Sequence, residues 1–136
     1  MALAWLEEAG LVRRINRLEA PRTPIVSYAN ASAFKLYHLD VGLLAAMVRL
    51  DERVLLEDNQ VFTEFRGSLA EQLALQELQV DGGLDVCYWA MDGQSRAEVE
   101  FIVQTGSQIV PVEVKSGTNL RAKRLAVYMN KYQPRL

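Results

Sequence analysis

The sequence predicts a mixed α/β (α+β) fold whose main unit runs helix, three strands, helix. Three observations carry that prediction. Residues Phe62 to Val80 keep apolar side chains at helical spacing, and Asp85–Ala90, Ala97–Gln104 and Ile109–Lys115 read as strands separated by glycine-containing turns. Asn119–Tyr132 then returns to helical character before Pro134, which cannot continue a helix.

Ahead of that unit stand shorter elements. Leu3–Ala9 reads as a short helix, with Gly10 where a left-handed cap commonly ends one. Leu11–Ile15 and Ala33–Tyr37 have strand-like composition and enclose a segment containing Pro21 and Pro24. Asp40 is placed to cap a helix over Val41–Met47. Helix, strand, long turn, strand outlines a winged-helix-like segment over residues 1–50. A charged stretch at 51–60 reads as a linker, and 61–136 as the main unit. A recognition helix carrying Glu7 and Glu8 would oppose phosphate, so the first segment is expected to serve packing rather than DNA reading.

A chain of 136 residues, half hydrophobic and about a quarter charged, is the size and composition of one globular unit. Its net charge of −2 excludes coating nucleic acid by charge alone, since phosphate neutralisation needs a cationic surface. The one cysteine, Cys87, sits in the apolar strand Val86-Cys87-Tyr88-Trp89, which predicts a core thiol. No apolar stretch reaches the roughly 18 residues of a membrane span, and the two early acids do not suit a signal peptide; a cytoplasmic, unanchored protein is expected.

In the long helix, Phe62, Phe65, Leu69 and Leu73 form one apolar stripe, while Ala74, Leu75 and Leu78 share a side with Glu71. Alternation in the second strand groups Ala97, Val99, Phe101 and Val103 on one face, with Glu98, Glu100 and Ile102 opposite. In the third it groups Val110, Val112 and Val114 against Pro111, Glu113 and Lys115. A hairpin around Thr105-Gly106-Ser107 that matches the apolar faces brings Glu100, Glu113 and Lys115 together on the other side. Two nearby carboxylates repel unless a cation lies between them, and hard cations such as Mg²⁺ favour carboxylate oxygens. A neighbouring lysine suits an attacking water or a developing phosphate charge.

Glu98-Val99-Glu100-Phe101-Ile102-Val103 followed by Val112-Glu113-Val114-Lys115-Ser116-Gly117 resembles the D-x(n)-(D/E)-x-K core of the PD-(D/E)XK nuclease superfamily. The resemblance implies a restriction-endonuclease-like core with Glu71, Glu100, Glu113 and Lys115 as catalytic residues. It implies Mg²⁺ or Mn²⁺ held by Glu100, Glu113 and Glu71, and DNA as the substrate. Glutamate stands at 100 where that superfamily usually has aspartate. A further core strand would follow Leu136 in the superfamily; the main unit is therefore expected to be truncated, with an open sheet edge prone to homodimer formation.

A longer resemblance runs through Phe34-Lys35-Leu36-Tyr37-His38-Leu39-Asp40-Val41-Gly42-Leu43-Leu44, Gly67-Ser68-Leu69-Ala70-Glu71 and the two charged strands. In this order the motifs are similar to an uncharacterised domain that lies C-terminal to the ATPase module of prokaryotic AAA+ ATPases. That module is the implied partner. No GxxxxGK[ST] phosphate loop occurs, so no ATPase activity is expected of this polypeptide. The alternative expectation is an inert regulatory or protein-interaction module that keeps the fold.

Overall fold

The structure, a computed structural model, describes residues 2–49, 60–80, 84–92, 97–117 and 122–133, with side chains from Phe65 onward in the second of these segments. The elements are α1 (Ala2–Glu8), β1 (Val12–Leu18), a 3-10 turn (Ile25–Tyr28), β2 (Ala29–His38), α2 (Val41–Met47), α3 (Gln60–Gln79), β3 (Asp85–Ala90), β4 (Glu98–Thr105), β5 (Gln108–Val112) and α4 (Lys123–Tyr132). Among the described residues this is a mixed α+β fold of four α-helices and one five-stranded sheet.

Local chemistry sets the element ends. Gly10 takes φ +70 after α1, and the amides of Gly10 and Leu11 donate to the carbonyls of Glu7 and Leu6, the paired bonds of a Schellman cap. Asp40 caps α2 by accepting the Leu43 amide at 2.7 Å. Gly106, at φ +61, fills the first central position of the two-residue β4–β5 turn, where the left-handed sign is required.

The strand order is β2-β1-β3-β4-β5. The β1–β3 contact is parallel, pairing Arg17 with Tyr88, and the other neighbours are antiparallel. The N-terminal strands thus extend the sheet of the main unit. The expected linker at 51–60 lies outside the described residues except for Gln60, which opens α3.

Each face of the sheet buries a cluster. On one, Cys87, Trp89, Val99 and Ile102 pack against Tyr128 of α4; on the other, Tyr37, Tyr88, Phe101 and Val103 pack against Leu75 of α3. Cys87 is 3% exposed, and burial pushes its thiol up to about 11, so it is a core thiol as expected. The α4 cluster includes an edge-on Trp89–Tyr128 contact with centroids 5.3 Å apart.

Two expectations about faces change. Val99 and Phe101 do not share one: Val99 joins Ile102 on the α4 side, while Phe101 and Val103 lie on the α3 side. Pairing shows why. Cys87 faces Ile102 but Trp89 faces Val99, so β4 carries an extra residue opposite β3, a bulge that resets alternation around Glu100. In α3 the expected stripe fails at Leu73, which is 46% exposed, whereas Leu75 is fully buried with Ala74 and Leu78 packed beside it. The start expected for the last helix at Asn119 lies outside the described residues.

Candidate functional site

Glu100 is a buried carboxylate, 2% exposed, beside the β4 bulge. Its Oε2 accepts the Val114 amide at 3.2 Å and its Oε1 accepts from Arg124 of α4 at 3.1 Å. Glu113 follows β5, with a side chain 2% exposed. Its Oε1 lies 2.5 Å from Lys115 Nζ, and its Oε2 accepts the Leu125 amide at 3.0 Å. The last bond has a local cause. Ala122 stands at the N-cap of α4 with no side-chain acceptor, so Glu113 supplies from another element what an N-cap side chain would.

The sequence-derived trio is accordingly gathered near the ends of β4 and β5. The ladder pairs Phe101 with Val112, which makes Glu100 and Glu113 the next residues along it, and the Val114 amide ties Glu100 to the segment carrying Glu113. The same region contains an unforeseen partner, Arg124. Arg124 lies one turn before buried Tyr128 on α4, and that i, i+4 spacing was the available signal that it turns towards the sheet.

Glu71 faces a different environment. It lines a cleft of about 420 Å³ between β2, α2 and α3, together with Lys35, Tyr37, His38, Leu44 and Ser68. Tyr37 Oη donates to Glu71 Oε2 at 3.2 Å. Burial raises the Glu71 pKa above the ordinary value; Lys35 and the Tyr37 hydrogen bond oppose that rise, and the charges of Glu100 and Glu98 add to it. Burial likewise pushes the Tyr37 phenol upward, helped by Glu71. Lys35 is ion-paired to Glu98 and lies 5.0 Å from the Tyr88 ring centroid. Glu71 is therefore within electrostatic reach of Glu100 while its hydrogen bond is to Tyr37.

Gln72, beside Glu71 and 2% exposed, is a second residue that sequence reasoning missed. Its Oε1 accepts the His38 amide at 2.9 Å and its Nε2 donates to the His38 carbonyl at 2.8 Å. His38 thus contributes its backbone to a structural contact. Ser68, Gln72 and Gln76 recur every four residues in a helix with an apolar side, and that polar stripe was the signal.

Among the described residues no three or more His, Cys, Asp or Glu side chains gather as a metal-holding group. Two carboxylates suffice for Mg²⁺, which keeps several waters, so Glu100 and Glu113 have suitable donor chemistry. Binding there would require Arg124 to leave Glu100 and Lys115 to release Glu113. No helix among the described residues is long and apolar enough to cross a membrane.

The family whose model describes a domain of unknown function, DUF4143, matches residues 66–135, which hold β3, β4, β5, α4 and all four sequence-derived site residues. That match spans just over half of the chain, and the chain belongs to this family. A second domain of unknown function, DUF8612, matches residues 1–54, covering α1, β1, β2 and α2. No curated protein and no solved structure matches the chain.

Proposed function

We propose that this chain is the C-terminal, restriction-endonuclease-like portion of a prokaryotic AAA+ ATPase, and that Glu71, Glu100, Glu113 and Lys115 form a phosphodiester site for DNA. The observation that carries the reading is the convergence of Glu100, Glu113 and Lys115 at the ends of neighbouring strands, tied by the Val114–Glu100 bond. The order of the sequence motifs supports the parentage. Glu100 and Glu113 would hold Mg²⁺ or Mn²⁺, with Glu71 reaching in from the cleft side, and the ion would supply a water activated for attack on phosphorus. Lys115 would stabilise charge on the phosphate, and the exposed cations Lys123 and Arg124 at the start of α4 would meet the DNA backbone.

The test is calorimetric titration with Mn²⁺, followed by cleavage assays on duplex, branched and single-stranded DNA. Metal binding should vanish in Glu113→Gln, and cleavage should vanish in Lys115→Ala while the fold persists. Equal cleavage by wild type and both variants identifies a contaminating nuclease and ends the catalytic reading.

A second reading, an inert regulatory or interaction module, is favoured by the pairing itself. Glu100 with Arg124 and Glu113 with Lys115 balance charge for charge, leaving little net field for a divalent ion. Absence of metal binding by both wild type and Arg124→Gln selects this reading.

A further inference from the structure

Helix α3 is stitched to the chain of β2 and α2 by a ladder of side-chain amides. Gln76 accepts the Val41 amide at 3.2 Å, and Gln72 takes both the amide and the carbonyl of His38. One helical turn earlier stands Ser68, and two strand residues earlier stands Leu36. Four helical residues rise about 6 Å and two strand residues rise about 6.6 Å, so the two series stay in step. The next rung should therefore join position 68 to Leu36. Ser68 is too short to make it, and the cleft of about 420 Å³ lies there, lined by both residues.

Among the described residues the backbone at that rung is open. Within them β2 ends the sheet, with β1 as its one strand neighbour. Because the amide and carbonyl of His38 both face Gln72, the Val12–His38 pair is of the non-hydrogen-bonded kind, a reading supported by the adjacent Leu39-to-Leu11 bond. Alternation then makes Arg14–Leu36 and Asn16–Phe34 non-hydrogen-bonded pairs as well, turning the amides and carbonyls of Leu36 and Phe34 away from β1. Leu36 is also 46% exposed.

We propose that the cleft between β2 and α3 binds an extended peptide segment, which adds to the open edge at Phe34 and Leu36 and supplies the amide rung that Ser68 leaves out. Gln72 shows what the edge accepts, since its carboxamide presents to His38 the same donor and acceptor that a strand presents. The charges suit an uncharged occupant: Lys35 is paired to Glu98, and Glu71 accepts from Tyr37. They disfavour a second copy in the register that uses both rungs at once, because pairing 34 with 36 about a two-fold axis sets Lys35 against its own duplicate.

The probe is a short blocked peptide of alternating valine and threonine, read by amide hydrogen exchange of the full chain. Without peptide, the Phe34 and Leu36 amides should exchange freely while those of Lys35 and Tyr37, which face β1, are protected. Saturating peptide should slow Leu36 exchange by about tenfold or more, and an N-methylated version of the peptide should not. Ser68→Gln should protect the Leu36 amide without peptide and abolish the peptide effect. Three results overturn the proposal: no slowing with peptide, equal slowing with the N-methylated form, or protection that grows with protein concentration alone, which makes the occupant a second copy. None of these measurements depends on metal or DNA, so they succeed or fail separately from the nuclease reading.

Discussion

The two acidic regions of this protein partner their carboxylates in different ways. At the ends of β4 and β5, Glu100 accepts hydrogen bonds from Arg124 and the Val114 amide, while Glu113 accepts the Leu125 amide and forms an ion pair with Lys115. In the cleft, Glu71 has a phenol for a hydrogen-bond partner, and burial raises its pKa. Glu100 and Glu113 tie the ends of β4 and β5 to α4, whereas the cleft acid retains a proton more readily than an ordinary glutamate and faces open volume.

The largest expected effect breaks the tie to α4. Glu113→Ala removes the acceptor for the α4 amide and strands the Lys115 cation, and should destabilise the protein by about 3 kcal/mol in urea unfolding. A loss below about 1 kcal/mol would mean that the carboxylate is not a structural cap. Next comes the cleft wall. Gln72→Ala deletes both bonds to the His38 backbone and should cost about 2 kcal/mol, with faster hydrogen exchange at the His38 amide as its local signature.

Tyr37→Phe sharpens the contrast by removing the hydrogen bond to Glu71. It should cost about 1 kcal/mol and raise the Glu71 pKa further, because that bond favours the charged form. The pKa change is measurable by carboxyl-carbon NMR titration. No change in Glu71 titration would show that the phenol is not its partner in solution.

The smallest effect is a matter of pH. A carboxylate whose folded-state pKa is raised contributes stability that is fully present below its unfolded value and is lost as pH rises through the folded value. The Glu71 contribution should therefore decline from about pH 4.5 upward, the ordinary value of that group. Subtracting the stability–pH profile of Glu71→Gln from that of the wild type isolates this decline, and the variant should be the more stable of the two at neutral pH. A difference profile that is flat, or that rises with pH, would reverse the assignment.

Much of the local structure was legible in the residues. Asp40 before an apolar run, Gly10 after one, and Gly106 between alternating strands act within a few residues of themselves, and each does what its chemistry requires. The convergence of Glu100, Glu113 and Lys115 was also readable, since a two-residue turn fixes the register of a hairpin. The face of Val99 was not. It depends on a bulge against β3, a strand paired across the intervening loop, and nothing in the period-two pattern marks an inserted residue. Leu73 misled for a related reason, because helical spacing names possible faces without saying which one meets the sheet.

The sequence by itself determined the order of helices and strands, the caps made by Gly10 and Asp40, and which acids stand beside one another along the β4–β5 hairpin, all consequences of short-range geometry. The tertiary structure alone decided that Arg124 pairs with Glu100, that Glu113 caps α4, and that Glu71 takes its hydrogen bond from Tyr37. These are pairings across sheet and helices, and a charged side chain's partner is set by which surfaces pack together, a property no local stretch of sequence contains.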